Sequence, residues 1–208
     1  MCHSVFKIFF KKIALKTFFN YTSHMMTFIA LGNTGEKYKN TRHNVATLIA
    51  CELVKEWTEN KYSYADIGNM TIGEKEVNFI KPNLFMNESG KVIPFLIKNF
   101  SNNTEDIVVI HDDIDLPLGA IRISYDRGDG GHNGVKSIMQ ALDSKEFIRI
   151  RVGVSIIDEN DILRKPDVLG NFNQNELDKI QKEITPKVNE IIVSLVKDGK
   201  EKAMNTYN

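Results

Sequence analysis

The run IVVI at residues 107–110 constrains the fold more than any other stretch of the chain. Four consecutive β-branched, apolar residues are typical of a strand that is covered on both faces. The polar residues HDDID follow directly, at 111–115. A sheet built around such a strand needs a packed layer on each side, so we expect helices on both faces of a central sheet.

Predicted strands and helices alternate along the rest of the chain. Strands are predicted at 27–31, within 61–81, at 120–125 and at 147–154. Apolar residues at helical spacing predict helices from Val45 to Trp57, around 92–96, from Val135 to Leu142 and from Ile180 to Leu195, with Pro186 as an expected break. The expected fold class is therefore α/β: a single-domain mixed β-sheet flanked by helices, a three-layer sandwich. Residues 155–175 have no pattern that assigns them.

Charge is distributed unevenly between the N-terminus and the rest of the chain. Residues 1–26 contain four lysines (Lys7, Lys11, Lys12 and Lys16) and no acid. Subtracting these four from the 27 basic residues leaves 23 against 27 acidic ones, a net charge near −4 for the remainder. A protein that coats nucleic acid by bulk charge is strongly basic, so any contact with nucleic acid should be local.

Residues 1–26 are expected to be an N-terminal extension, arising from a start assigned upstream of Met25 or Met26 or forming a targeting-like segment. Residues 27–208 are then one domain, which is long enough for a proper core.

The two cysteines, Cys2 and Cys51, do not suggest a disulfide framework and suit a reducing compartment. We expect a cytoplasmic protein without membrane association, because no apolar run approaches the roughly 18–20 residues of a membrane span.

Four polar or glycine-rich segments lie at the ends of predicted strands or helices: 32–35, 85–87, 111–115 and 130–133. In α/β folds, ligands bind at the carboxyl ends of the strands. We therefore expect one cleft to collect all four segments.

His43 and Asp112 are the candidates for acid–base chemistry. His43 precedes a predicted helix, whose dipole favours neutral imidazole, the usual general base near neutral pH. Asp112 follows a buried strand, and a carboxylate there can accept an imidazole N–H and fix its tautomer. The alternatives are a surface histidine that caps its own helix and a turn-forming aspartate, as expected for Asp113 and Asp115.

Three asparagines, Asn33, Asn87 and Asn133, fall in the same segments. Their amides offer donors and an acceptor without charge, which suits a grip on peptide groups or on a developing oxyanion. Each asparagine taken alone is better explained by a turn or a helix cap than by a function.

Metal chemistry is the main rival. The potential ligands are His43, His111, Asp112, Asp113, Asp115 and His132. No pair has the His-x-x-x-His spacing of a helical site, and a cysteine pair is absent. A nucleophilic serine lacks its Gly-x-Ser-x-Gly elbow. We expect neither a metal nor another cofactor.

Six segments together resemble one family, the bacterial-type peptidyl-tRNA hydrolases. They occur in the family's order and spacing, from about residue 27 to the C-terminus: LGNTG at 31–35 with Tyr38 and TRHN at 41–44, KPNLFMNESG at 81–90, HDDIDLP at 111–117, GGHNG at 130–134, RIRVG at 149–153 and VLG at 168–170.

The resemblance implies hydrolysis of the ester that joins a peptide to the 3′ end of tRNA, without a metal. His43 would activate water, Asp112 would stabilise its basic form, and Asn33 would read the first peptide bond. Asn87 and Asn133 would hold the peptide and the terminal adenosine. Tyr38, Phe85 and Met86 would line the groove, and Arg151 matches a basic family position. Peptidyl-tRNA is then the expected partner of a monomer that needs no protein partner.

The chain departs from the family pattern at several positions. Thr34 replaces a usual proline, so the loop should be less stiff. Asp129 adds a negative charge to the glycine-rich segment, and Ser124 falls where the family often has a tRNA-facing lysine. A non-catalytic RNA-binding module on the same fold is a second hypothesis, although the presence of all the matched catalytic residues argues against it, and metal-assisted hydrolysis is a third.

Overall fold

A computed structural model describes residues 25–100 and 103–208. The expected N-terminal extension lies almost wholly outside the described residues. The strands are β1 (Thr27–Ala30), β2 (Thr58–Asn60), β3 (Ala65–Ile72), β4 (Lys75–Pro82), β5 (Ile107–Pro117), β6 (Ile121–Tyr125), β7 (Ile148–Ile157) and β8 (Leu163–Arg164). The helices are α1 (Val45–Leu53), α2 (Ile93–Asn99), α3 (Asn133–Leu142), α4 (Gln174–Lys179), α5 (Thr185–Asp198) and α6 (Lys200–Tyr207).

The strands form one mixed sheet in the order β2-β3-β4-β1-β5-β7-β6, with β8 added to β7. The central strands β4, β1, β5 and β7 run parallel, and the pairs β2–β3, β3–β4, β6–β7 and β7–β8 are antiparallel. Hydrophobic clusters lie on both faces of this sheet. One joins the sheet to α1 and the C-terminal helices, and the other joins it to α2 and α3. The predicted three-layer α/β fold is confirmed.

Strand β5 is buried on both faces, as its sequence predicts, but it is longer than the apolar run. It continues through His111 and Asp112 to Pro117, because β7 pairs with it as far as Gly153 and again at Ser155, across an irregularity in register. Asp112 therefore lies within a strand. Asp113 also lies in the strand, and its Oδ1 accepts the N–H of Asp115 at 2.8 Å, which retains part of the expected turn chemistry.

Two predicted helix boundaries are wrong. Helix α1 ends at Leu53, and Trp57 lies beyond it with its indole N–H donated to the Val54 carbonyl. Pro186 does not break the C-terminal helix, because a π-helical turn at Ile180–Ile184 leads directly into α5 and the proline falls in the first turn.

Residues 155–175, which the sequence leaves unassigned, extend β7, form β8 and then return beside the segment that contains His43. Backbone N–H groups of Arg42 and His43 donate to the carbonyls of Gly170 and Val168. The return segment thereby holds the start of α1 in place. Within the described residues, no helix is long and apolar enough to cross a membrane.

Candidate active site

A cavity of about 530 Å³ opens at the carboxyl end of β5. Its walls include His43 and Asp112, residues 111–115 of β5, residues 127–133, Arg149 and Arg151 of β7, and Val168. Two of the four predicted segments therefore line this cavity. Segments 32–35 and 85–87 meet each other beside it instead, so the expectation of one cavity lined by all four is only partly met.

Two histidines share one carboxylate oxygen at the centre of the site. His43 Nδ1 lies 2.8 Å from Asp112 Oδ1, and His132 Nε2 lies 2.9 Å from the same oxygen. The His43 and His132 rings are 4.8 Å apart between centroids. Asp112 is 3% exposed. These three side chains form the bonded centre of the site.

Asp112 is ionised in this arrangement. Burial alone would raise its pKa, but the hydrogen bonds from His132 and His43 outweigh burial and hold the pKa well below its usual value. An ionised carboxylate only accepts hydrogen bonds, so both imidazoles donate an N–H to it. His43 therefore carries a proton on Nδ1, and in the neutral ring the lone pair is on Nε2.

A third imidazole, His111, lies beneath the bonded centre. Its Nδ1 bonds the Asp112 backbone carbonyl at 2.7 Å, and its ring packs edge-on against His132. Burial and the neighbouring His132 lower its pKa well below the usual value near 6.5, so His111 is neutral.

The bonded centre is also the place where a metal ion could be held. Among residues 25–100 and 103–208, His43, Asp112 and His132 are a group whose potential ligand atoms all lie within 4.8 Å of one another. The 2.8 and 2.9 Å separations are those of hydrogen bonds. Two nitrogen or oxygen ligands on one tetrahedral zinc would stand about 3.3 Å apart, so these side chains would have to separate to admit it.

Asn33 is held from two sides beside the bonded centre. Its backbone N–H and carbonyl both bond the Asn44 side chain, at 2.8 and 2.9 Å, and its Oδ1 accepts the Met86 N–H at 2.9 Å. The side-chain NH₂ of Asn33 is the group left to face a ligand. Asn44 is therefore structural, as is Arg42, whose guanidinium bonds Glu176 and the Val154 carbonyl.

The predicted groove residues differ in exposure. Tyr38 and Phe85 meet edge to face at 6.4 Å, with Phe85 49% exposed. Met86 is only 4% exposed and packs against Gly134, where any larger residue would collide with its sulfur. Met86 thus supports the groove from below.

Asn87 is exposed, and Asn133, also exposed, is the first residue of α3. Arg151 lies on the cavity wall with its Nε 2.6 Å from Asp113 Oδ2. Thr34, where a less stiff loop was expected, donates its N–H to the Leu84 carbonyl at 3.1 Å, a bond that proline could not make.

Known proteins match this chain along nearly all of the described part. The model of the peptidyl-tRNA hydrolase family covers residues 27–208. The chain belongs to the peptidyl-tRNA hydrolase family.

Individual relatives agree with this assignment. The peptidyl-tRNA hydrolase of Fervidobacterium nodosum is 42% identical over 184 residues, which are 88% of this chain and 96% of that protein. The Bacillus subtilis enzyme is 37% identical over 188 residues, again 88% of this chain and 98% of that protein. The crystal structure of the Acinetobacter baumannii peptidyl-tRNA hydrolase superposes with a TM-score of 0.76 at 25% identity, covering 91% of this chain and 97% of that one.

The resemblance that the six segments predict is therefore confirmed at the level of family and fold. Sequence reasoning missed the position of His132, which appeared only as a potential metal ligand and as part of GGHNG. Its place directly before a predicted helix start was the available signal, but histidine is not among the usual N-cap residues, so local preference did not single it out.

Proposed function

We propose that this protein is a peptidyl-tRNA hydrolase that cleaves the ester between the peptide and the tRNA and so recycles tRNA during translation. The observation that carries the proposal is the 2.8 Å bond from His43 to the buried, ionised Asp112 at the wall of a cavity. Because the Nδ1–H of His43 donates to Asp112, Nε2 is the nitrogen free to act as a base.

The reaction follows from that tautomer. His43 Nε2 takes a proton from a water molecule while the water oxygen attacks the ester carbonyl and forms a tetrahedral intermediate. Asp112 stabilises the resulting imidazolium. The C–O bond to the tRNA then breaks, and the ribose oxygen leaves with the proton from His43. The products are a free peptide carboxylic acid and tRNA, and His43 is neutral again.

The amides suit the peptide end of the substrate. The free NH₂ of Asn33 can donate to a peptide carbonyl, and its position is fixed by Asn44 and Met86. Asn87 and Asn133 are exposed and uncharged, which suits a substrate whose peptide sequence varies. We assign them to the peptide and the terminal adenosine, with Tyr38 and Phe85 as the apolar side of the groove.

Arg151 is the proposed contact with tRNA phosphate. It lies on the cavity wall, and its side chain is 31% exposed although it pairs with Asp113. A single phosphate contact adds affinity without sequence preference, which suits an enzyme that accepts many tRNAs. The proposal includes a monomer in the cytoplasm that works without a metal.

A cleavage assay tests this function. Peptidyl-tRNA is incubated with the wild type and with His43→Ala, each with and without a strong chelator. We expect the wild type to release peptide equally in both conditions and His43→Ala to lose about 1000-fold or more in kcat, since general base catalysis alone contributes about 10²–10⁴.

Each other outcome points elsewhere. Loss of wild-type activity in the chelator would favour a metal mechanism. Binding of tRNA without cleavage by the wild type would favour the RNA-binding module. Near-normal turnover by a folded His43→Ala would remove His43 from the reaction. Circular dichroism and thermal unfolding of the variant control for the fold.

A further inference from the structure

His132 has both ring nitrogens committed, unlike His43. Its Nε2–H donates to Asp112 Oδ1 at 2.9 Å. Its Nδ1 accepts two backbone N–H groups at the start of α3, from Gly134 at 3.1 Å and Val135 at 3.3 Å. A proton on Nδ1 would have to displace both backbone donors. His132 is therefore an N-cap of α3 and a fixed donor to the carboxylate, with no nitrogen left for the reaction.

His43 has the opposite arrangement. Its Nδ1–H also donates to Asp112 Oδ1, but its Nε2 has no hydrogen-bond partner among the described residues, and the side chain is 11% exposed at the cavity wall. The two histidines thus compete for one oxygen, and only one of them can exchange a proton with a substrate or water. Oδ1 holds His132 as firmly as His43, given the similar distances.

We propose that His132 is a positioning residue. Its hydrogen bond to Asp112 weakens the hydrogen bond between Asp112 and His43 and so sets the pH range in which His43 works as a base. This role rests on the proposed function. A carboxylate that accepts a second hydrogen bond on the same oxygen offers less negative charge to the first donor. Removing the His132 donor should strengthen the hydrogen bond between His43 and Asp112 and so stabilise the His43 imidazolium. Less His43 would then be present as the free base in mildly acidic solution.

Other charged side chains face the same cavity. They are Asp113 and Asp115 on β5, Arg127 and Asp129 in the glycine-rich segment, and Arg149 and Arg151 on β7. Neutral His111 packs against His132 from below. All of these remain in every variant below, so a difference between two substitutions at residue 132 does not come from them.

Two substitutions separate the two bonds of His132. The amide of Asn places an oxygen near the position of Nδ1, so His132→Asn keeps the cap of α3 and loses the donor to Asp112. Gln extends its NH₂ to the position of Nε2, so His132→Gln keeps the donor and loses the cap. Lys136→Gln, on the exposed side of α3, controls for changes in the helix.

The first readout is the pH dependence of kcat for peptidyl-tRNA cleavage. We expect the acidic limb of the His132→Asn profile to move to higher pH by about half a unit or more, since loss of one hydrogen bond to a charged group changes proton affinities by that order. The limb of His132→Gln should stay within about 0.2 units of wild type despite a lower melting temperature, because only the cap is lost. Lys136→Gln should change neither quantity.

A purely structural His132 would lower kcat and melting temperature together in both variants without moving the limb, and that result would overturn the proposal. An acidic limb that disappears in both variants would also overturn it, because His132 would then itself exchange protons.

The second readout does not depend on activity. In ¹⁵N-histidine NMR spectra of the full chain, we expect the Nδ1–H resonance of His43 to move downfield in His132→Asn and to stay near its wild-type position in His132→Gln. An unmoved resonance in His132→Asn would overturn the sharing of Asp112. If the resonance moves as expected while wild-type protein fails to cleave peptidyl-tRNA, the proposed function fails, and of the inference only the sharing of Asp112 between the two histidines stands.

Discussion

The bonded centre and the open rim of the site are built in opposite ways. At the centre, Asp112 is buried, and each polar atom of His132 is bonded before any ligand arrives. At the rim, Phe85, Asn87 and Asn133 are exposed. A prearranged centre lowers the energy of charges that develop during a reaction, because no reorganisation is needed at that moment. Exposed groups at the rim gain their partners only from the substrate, so changes at the centre should alter kcat and changes at the rim should alter KM.

Asp112→Asn should produce the largest effect on the centre short of removing His43. The amide oxygen can still accept both N–H bonds, but the side chain is neutral, so the His43 imidazolium loses the negative charge that stabilises it, and an NH₂ turned toward the ring would favour the wrong tautomer. We expect kcat to fall by about 100-fold or more and the acidic limb of the pH profile to move to lower pH. This shift is opposite in sign to that expected for His132→Asn.

Asp115→Asn is the matched control for Asp112→Asn. It removes a carboxylate from the same strand and cavity, but Asp115 pairs with Lys165 and its side chain is 60% exposed. We expect its kcat to stay within about twofold of wild type, because exposed charge pairs contribute little. Equal losses in the two variants would mean that total charge at the cavity, and not the bonded centre, governs the rate.

The comparison also shows which parts of the molecule follow from local sequence. The apolar run 107–110 and the spacing of Val135, Ile138 and Leu142 predict a doubly buried strand and a helix, and both are observed. These patterns are local, so hydrophobic periodicity is enough to find them.

Features that depend on distant pairing could not be predicted. The polar residues 111–115 resemble a turn, and only pairing with β7 keeps them in a strand. The start of α1 depends on backbone bonds to Val168 and Gly170, more than 120 positions away. The bond from His132 to Asp112 requires the tertiary arrangement, whereas its cap of α3 is a local bond to Gly134.

Arg151 on the cavity wall is the proposed phosphate contact, and Arg151→Gln tests whether it acts on substrate binding. Loss of one phosphate contact should raise KM for peptidyl-tRNA by about tenfold, leave kcat within about twofold and lower the slope of log affinity against log salt by about one. Lys182→Gln, an exposed residue paired with Asp178 far from the cavity, serves as the charge control. A drop in kcat with unchanged KM would place Arg151 with the centre.

Asp113 complicates this test, because its carboxylate is nearly buried and loses its partner in Arg151→Gln. The double variant Asp113→Asn, Arg151→Gln removes both charges. We expect it to regain stability relative to Arg151→Gln while the tenfold rise in KM remains. Recovery of KM in the double variant would show that the single substitution acts through the orphaned carboxylate.

The stability of the folded protein should depend on pH through His111, which lies beneath the bonded centre. Its pKa is lowered in the folded protein, chiefly by burial, whereas the unfolded chain has the usual value near 6.5. Above pH 6.5 both states are neutral and the stability is full. Below it the unfolded chain takes up the proton first, so the folded state loses stability as the pH falls.

His111→Asn checks that sign. The Asn NH₂ can still donate to the Asp112 carbonyl, but the side chain does not titrate. We expect the free energy of unfolding of the wild type to fall relative to the variant by about 1 kcal/mol between pH 7.5 and 5.5, measured by urea unfolding. If the difference in unfolding free energy between the wild type and the variant does not change with pH, His111 takes up its proton equally in the folded and unfolded states.

Thr34→Pro should have the smallest effect, and it tests how the loop that holds Asn33 is fixed. The ring removes the N–H bond to the Leu84 carbonyl, which costs about 1 kcal/mol, and restricts the unfolded chain, which returns about 0.4–1 kcal/mol. The free energy of unfolding should therefore stay within about 1 kcal/mol of wild type. Thr34→Ala retains the N–H and controls for the lost hydroxyl. A loss above about 2 kcal/mol for proline alone would show that the ring does not fit the loop, and that Asn33 depends here on the hydrogen bond to Leu84 in place of the stiffness of proline.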